Sequence, residues 1–235
     1  MRSAQLKKIL ILVTLLAVPG FLYYLLQEKG KNRYRPLPIF GPKTVASTFH
    51  QVRGEAVPDT LYHLIEDFNL QNQSGATLNW DALKGKVVLF GLFRAANPQT
   101  DASSKALQKY AGTFAKNDLL RLLSITVDPV EEKVSFMSRY AAEFGAHAGK
   151  WDLLTGDSAA VNKLIRQGLF LDAFKTSAPA AETAHFTYSD MLVLVDSEHR
   201  IRGYYEASSS EALSKLDDEI KVLIVEELRN MKDGR

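Results

Sequence analysis

Val87–Phe93 has the sequence VVLFGLF and is followed by RAANPQTD at residues 94–101. An apolar run of this length, bounded by Gly85 and Arg94, is typical of a strand that is buried on both faces. The next apolar residues recur at helical spacing: Ala106, Leu107, Tyr110 and Phe114. They predict a helix over residues 98–116. The strand and the helix together predict the first strand–helix unit of an α/β domain.

The elements that follow complete this domain. Residues 121–127 (RLLSITV) predict a second strand, and residues 191–195 and 201–205 predict a late hairpin. Apolar spacing predicts two helices between them, marked by Val134, Met137, Tyr140 and Phe144 and by Val161, Leu164 and Ile165. A final helix is predicted to begin at a capping box of Ser208 and Glu211. This order predicts an α/β, thioredoxin-like fold, a central mixed sheet flanked by helices, because a flavodoxin-like domain would need more strand–helix units and no late hairpin.

The composition limits the possible chemistry. The chain has 235 residues, of which 46% are apolar and 24% are charged, and it contains no cysteine. This length leaves room for one domain with appendages or for two small domains, and the core can fold without disulfides. The absence of cysteine excludes disulfide scaffolds, thiolate zinc sites, iron–sulfur clusters and cysteine nucleophiles.

The charge is distributed unevenly along the chain. Residues 1–35 hold seven basic residues and one acidic residue, for a net charge of +6. The other 200 residues hold 22 basic and 26 acidic residues, for a net charge of −4. A nucleic-acid-binding domain needs a basic face, so we predict no nucleic-acid partner.

An apolar run near the N-terminus predicts a membrane anchor. Residues 9–26 (ILILVTLLAVPGFLYYLL) are 18 uncharged residues, about the minimum for a membrane-spanning helix. Tyr23 and Tyr24 lie near one end, as in an aromatic belt. The alternative is a cleaved signal peptide, but no A-x-A-like cleavage site follows. We therefore predict an uncleaved transmembrane anchor over residues 9–27, preceded by a short cytoplasmic N-terminus at residues 1–8.

The segment after the anchor is predicted to be a basic linker over residues 28–57. Pro36, Pro38 and Pro42 forbid a long helix there. The folded domain is then predicted to occupy residues 58–235. Basic residues flank the apolar run almost equally, so the positive-inside rule does not by itself decide the orientation of the anchor.

The start of the helix after the buried strand is the reactive position in a thioredoxin-like fold. Free amide groups and the helix dipole stabilise an anion such as a thiolate there. Asn97 before Pro98 has the pattern of an N-cap followed by proline at the first helical position. Asp101 would then lie in the first turn and complement the dipole. Both residues are thus explained as residues that start a helix, and no thiol is present to be activated.

Five short motifs lie along the predicted domain in a fixed order. They are DFNLQNQSG at 67–75, KGK at 84–86, SITVDP at 124–129, KWDLLTG at 150–156, and SDMLVLVD with IRGYY at 189–205. In this order and spacing they resemble the Sco/SenC family, membrane-anchored thioredoxin-like copper chaperones that help to assemble the copper A centre of cytochrome c oxidase. The similarity extends from about Phe68 to Leu228. It implies an inner-membrane protein with one span and its C-terminal domain on the periplasmic side.

The resemblance also implies where the family's copper ligands would fall. Its C-x-x-x-C motif corresponds to Asn97 and Asp101, and its distant histidine corresponds to Tyr188. An amide, a carboxylate and a phenol are poor substitutes, because Cu(I) prefers soft thiolate ligands. Thiol–disulfide exchange is impossible without a cysteine thiol. The sequence therefore predicts a degenerate family member with no metal, cofactor or catalytic residue at this site.

These observations favour a non-catalytic binding or assembly subunit of an envelope membrane complex, with a respiratory oxidase as the partner that the resemblance suggests. The alternative is an active copper metallochaperone or redox protein that uses Asp101, Tyr188 and His185 as unconventional ligands. A third hypothesis is an envelope structural subunit unrelated to respiration. The five histidines show no metal-ligand spacing, and Glu131 and Glu132 are explained as the acidic start of a helix.

Overall fold

The computed structural model describes residues 2–29, 36–52, 55–94, 101–176 and 185–233. The chain divides into two compact units, Met1–Arg35 and Pro36–Arg235. The first unit contains helix α1 (Arg2–Lys29), which has Pro19 inside it. Within the described part of the chain, no helix combines the length and the apolar character that crossing a membrane requires. The side chains at both ends of the predicted span, at positions 9, 10, 25 and 26, lie outside the described residues.

The second unit contains the remaining described elements. Its strands are β1 (Lys43–Val52), β2 (Glu55–Tyr62), β3 (Leu70–Gln71), β4 (Thr77–Leu78), β5 (Val87–Phe93), β6 (Leu120–Thr126), β7 (Trp151–Leu154), β8 (Ala173–Thr176), β9 (His185–Tyr188), β10 (Met191–Val195) and β11 (Ile201–Glu206). Its helices are α2 (Ala102–Thr113), α3 (Val134–Phe144), α4 (Ser158–Lys163) and α5 (Ser210–Asp233). A π-helical turn (Leu164–Gly168) directly continues α4.

The central sheet has the strand order β11-β10-β5-β6-β7. β5, β6 and β7 are parallel, whereas β10 is antiparallel to both β5 and β11. This mixed sheet confirms the predicted α/β, thioredoxin-like class. The sequence did not predict β7, because its four residues include the charged Asp152 and form too short an apolar run to be recognised.

The side chains of β5 alternate between two cores on opposite faces of the sheet. Val88, Phe90 and Leu92 pack on the face that carries α4, and the intervening side chains pack on the face that carries α2, α3 and α5. All seven residues are buried, as the apolar run predicts. Gly91 allows α2 to approach closely, since an added Cβ would lie 3.0 Å from the Leu107 side chain.

The N-terminal part of the second unit differs from the predicted linker over residues 28–57. β1 and β2 form an antiparallel hairpin, and the unit begins at Pro36 rather than at residue 58. The Phe40 amide donates to the Ile201 carbonyl at 2.8 Å, and Arg202 Nη2 donates to the Leu37 carbonyl at 2.7 Å. The prolines do prevent a helix here, but they leave an extended chain that pairs with β11.

The start of α5 also differs from the sequence prediction. The helix begins at Ser210, and the Ala212 amide donates to Ser209 Oγ at 3.3 Å. The Ser208 hydroxyl instead donates to Glu206 at 3.0 Å. The N-cap is therefore Ser209, one residue later than predicted, and Ala212 at the third helical position has no side chain that could complete a capping box.

Candidate functional site

The candidate site lies where β5 ends and α2 begins. Residues 95–100, among them the predicted ligand position Asn97, lie outside the described residues. The described part of the site consists of Arg94 at the end of β5, Asp101 before α2 and Tyr188 at the end of β9. β9 pairs with β8, so Tyr188 lies opposite Ala173.

Asp101 is the N-cap of α2, which corrects the predicted helix start at residue 98. Its backbone is extended, and its Oδ1 accepts hydrogen bonds from the amides of Ser103 and Ser104 at 3.1 and 3.3 Å. An aspartate with these bonds satisfies the free amides at the start of the helix. In the described chain α2 therefore begins at Ala102, and the cap predicted for Asn97 belongs to Asp101.

The second oxygen of Asp101 is also occupied. Oδ2 accepts a 2.7 Å hydrogen bond from the Ser104 hydroxyl and lies 3.2 Å from the hydroxyl of Tyr140, which comes from α3. The Tyr140 hydroxyl is also 3.0 Å from Ser104 Oγ. Asp101 is only 5% exposed, and its burial raises the pKa of the carboxyl group against the opposing effect of these hydrogen bonds. The carboxylate thus serves as a buried structural acceptor.

Tyr188 lies close enough to Asp101 for that carboxylate to influence its ionisation. Burial is the main cause that raises the pKa of Tyr188 to about 12, and the charges of Asp101 and Glu132 act in the same direction. The phenol is therefore neutral at physiological pH, and to act as a phenolate ligand it would have to lose a proton that its surroundings make harder to remove. His185 forms a backbone pair with Thr176, but its side chain lies outside the described residues.

Glu132 has a different role from the one predicted for it. It is 4% exposed, its carboxylate accepts a 2.5 Å hydrogen bond from the Thr126 hydroxyl, and its carbonyl accepts one from Thr155 Oγ1 at 2.8 Å. The N-cap of α3 is Lys133, which makes no side-chain capping bond. Glu132 thus connects the ends of β6 and β7 from a buried position, a role that an acidic pair near a helix start does not reveal.

Arg94 is a functional candidate that the sequence analysis missed. Its guanidinium lies 4.7 Å from the centre of the Phe186 ring, and its Nη2 is 3.6 Å from Asp128 Oδ2. A single arginine after a buried strand carries no recognisable motif, so only the structure brings it to Phe186 on β9.

The described residues do not fit a copper ion. Asp101 uses both oxygens for hydrogen bonds, Tyr188 is a neutral phenol, and the chain has no sulfur ligand of the thiolate type. Among the side chains that the structure describes, there is no group of three or more histidines, aspartates or glutamates that could hold a metal ion. The chemistry of this donor set thus differs from the soft donors that Cu(I) prefers.

The mixed sheet, its helices on both faces and a site at the start of α2 define a thioredoxin-like α/β domain. The chain belongs to the SCO1/SenC family, whose model matches residues 58–221. It is 33% identical over 109 residues to the SCO1 protein homolog of Bacillus subtilis. This match covers 45% of the chain and 55% of the relative, so the chain spans about half the length of that protein.

Solved structures share the fold at lower identity. Copper-bound ScoI of Bradyrhizobium japonicum is 20% identical, with a TM-score of 0.52 over 66% of this chain and 99% of that one. Copper-bound ScoI of Arabidopsis thaliana is 19% identical, with a TM-score of 0.53 over 72% of this chain and 99% of that one. BsSco, described as a member of the Sco family of cytochrome c oxidase assembly proteins, is 22% identical, with a TM-score of 0.55 over 68% and 93% of the two chains.

Proposed function

We infer that this protein is a non-catalytic Sco/SenC-type subunit that binds or assembles a membrane complex of the cell envelope. The observation that carries the proposal is the hydrogen bonding of Asp101, whose two oxygens hold the start of α2 and the Tyr140 hydroxyl. A residue at a family ligand position thus has a structural role. The chain belongs to the family, but it has no cysteine thiol to bind copper or to form a disulfide.

A respiratory oxidase is the partner that we propose. The support comes from membership of the SCO1/SenC family and from BsSco, which is described as belonging to a family of cytochrome c oxidase assembly proteins. We further propose that the uncharged residues from Ile9 to Leu26 anchor the chain in the inner membrane and that the domain lies on the periplasmic side. A reporter fused after Arg235 tests this orientation, and a cytoplasmic signal would contradict it.

Copper titration tests the loss of the metal site. We expect the full chain in detergent micelles to show no stoichiometric, sub-micromolar binding of Cu(I) or Cu(II). The matched positive control is the triple variant Asn97→Cys, Asp101→Cys and Tyr188→His, which restores two thiolates and an imidazole and should gain Cu(I) binding. Tight stoichiometric binding by the unmodified chain would favour the active metallochaperone instead.

Co-purification tests the partner. The full chain is captured from detergent-solubilised membranes of its own cells, and the proteins retained are identified by mass spectrometry. Oxidase subunits in stoichiometric amount support an assembly role. A different envelope complex in their place would favour the structural subunit unrelated to respiration.

A further inference from the structure

Two cations lie over one aromatic ring beside the candidate site. The Arg94 guanidinium is 4.7 Å and the Lys175 ammonium 5.5 Å from the centre of the Phe186 ring. Lys175 and Phe186 are paired across the β8–β9 hairpin, and both line a cavity of about 190 Å³ together with Val130. We call Arg94, Lys175, Phe186 and Val130 the basic–aromatic patch.

Among the described residues, the positive charge of this patch is only partly balanced. Arg94 forms one ion pair with them, and its 3.6 Å distance to Asp128 is longer than the 2.7–2.9 Å of a charge-assisted hydrogen bond. Lys175 is exposed and is absent from the salt bridges between described residues, whereas nearby Lys163 is paired with Glu66 at 2.6 Å. Cation–π contacts hold the two charges in place without neutralising them.

Arg94 also has a donor without an acceptor. Its Nε–H is buried, and among the described residues it has no hydrogen-bond partner. Buried donors are nearly always paired, since an unpaired one is costly. The Arg94 side chain as a whole is 25% exposed, and the planar guanidinium can bind a carboxylate through its Nη donors.

The shape and lining of the cavity indicate the kind of ligand. Val130 is 58% exposed and, with the ring of Phe186, gives the cavity an apolar part next to Lys175. Asp128, the ion-pair partner of Arg94, also lines this cavity. A cavity of this size accepts side chains, whereas a flat lipid surface is recognised by a broader cluster of basic residues. Carboxylates next to apolar side chains are characteristic of a polypeptide segment.

We propose that the basic–aromatic patch docks an acidic segment of a partner protein, with a carboxylate on Arg94 and Lys175 and an apolar side chain against Val130. This inference rests on the proposed function, because it names the chemistry of the partner that a binding subunit would recognise. It also gives a role to the two cations beside the candidate site.

The test uses the full chain in neutral detergent micelles and a fluorescein-labelled peptide of glutamates with interspersed leucines. Fluorescence anisotropy should show binding that Lys175→Glu weakens by at least about tenfold. Arg94→Gln should weaken it as well, and circular dichroism checks that both variants are folded. The matched control is Lys109→Glu, which makes the same charge change on an exposed residue of α2 and should leave binding unchanged.

Three outcomes of the peptide measurement would overturn the proposal: peptide binding that Lys175→Glu does not weaken, equal weakening by Lys109→Glu, or equal binding of a control peptide with lysines in place of the glutamates. Patch-dependent binding of phosphatidylglycerol vesicles in place of the peptide would also overturn it and would identify a lipid ligand. Failure of this proposal can be distinguished from failure of the proposed function. If oxidase subunits co-purify with the Lys175→Glu variant as well as with the unmodified chain, the docking proposal is wrong and the oxidase partner stands. If the peptide binds through the basic–aromatic patch but no oxidase is retained, the oxidase partner is wrong and the docking proposal stands.

Discussion

At the scale of single residues, Asp101 is bound on both carboxylate oxygens by groups of the fold itself. Its neighbours are neutral donors: two amides and the hydroxyls of Ser104 and Tyr140. Ser104 and Tyr140 are themselves buried, and burial raises the pKa of Tyr140 well above its usual range. The donors around residue 101 therefore require an oxygen acceptor at this position.

Asp101→Ala should destabilise the domain by about 2–4 kcal/mol, because it removes the N-cap of α2 and leaves buried hydroxyl groups short of an acceptor. Urea unfolding followed by tryptophan fluorescence measures this change. Asp118→Ala is the control and should change the free energy of unfolding by no more than about 0.5 kcal/mol, since Asp118 is exposed and lies outside the helix start. Equal losses in the two variants would mean that the effect does not come from the N-cap.

The raised pKa of Asp101 predicts a pH effect on stability. Because this pKa is higher in the folded chain than in the unfolded chain, the folded state binds more protons between the two values, and its stability falls as pH rises through that window. Asp101→Asn keeps a capping oxygen but cannot ionise. The stability of this variant relative to the unmodified protein should therefore rise as pH increases from below 4 towards neutrality. A pH-independent difference, measured by urea unfolding in a buffer series, would contradict the raised pKa.

At the scale of elements, the sequence predicted those whose pattern is long or regular. β5, α3 and the β10–β11 hairpin occur where apolar periodicity indicates them. β7 was missed because four residues are too few to show a period, and the β1–β2 hairpin was hidden by the prolines that precede it. The family resemblance predicted that Asp101 and Tyr188 lie at one site. The positions of Arg94 and Glu132 could not be predicted, because their contacts join residues that are distant in the sequence and no local pattern indicates them.

Arg202 on β11 joins three parts of the domain from a buried position. It is 1% exposed and donates to Asp196 at 3.0 Å, to Glu226 at 2.9 Å and to the Leu37 carbonyl at 2.7 Å. The Asp196 side chain is fully buried and is also bound by Arg200 at 2.8 Å. Loss of the arginine would leave this carboxylate with one cation fewer in a dry environment.

Arg202→Met should therefore lower the free energy of unfolding by about 3–5 kcal/mol, the usual cost of removing one partner from a buried ion pair. Lys221→Met is the matched control, because Lys221 pairs with Asp217 at the surface of α5 and its loss should not change stability measurably. Denaturant unfolding of both variants distinguishes the two cases. A small effect of Arg202→Met would indicate that hydrophobic packing compensates for the lost charge.

At the scale of the whole molecule, the N-terminal boundary of the folded domain is set by contacts within the structure and could not be read from the proline content of the sequence. The family match begins at residue 58, whereas the compact unit begins at Pro36. Residues 36–42 contribute the buried Leu37, and Phe40 makes an edge-to-face contact with Tyr204 at 5.6 Å. These contacts make the segment part of the folded core instead of a spacer.

A chain that starts at residue 58 should consequently be less stable than one that starts at Pro36, by about 3–5 kcal/mol. It loses the burial of Leu37, worth about 2 kcal/mol, and leaves the Arg202 donor without the Leu37 carbonyl, which costs about 1–3 kcal/mol. Urea unfolding of the two chains measures the difference.

A third chain that starts at Pro42 separates this effect from loss of the β1–β2 hairpin, since it keeps the hairpin and lacks Leu37 and Phe40. It should unfold nearly as easily as the chain that starts at residue 58; if it is instead as stable as the longest chain, the stabilising contacts come from the hairpin and not from residues 36–41.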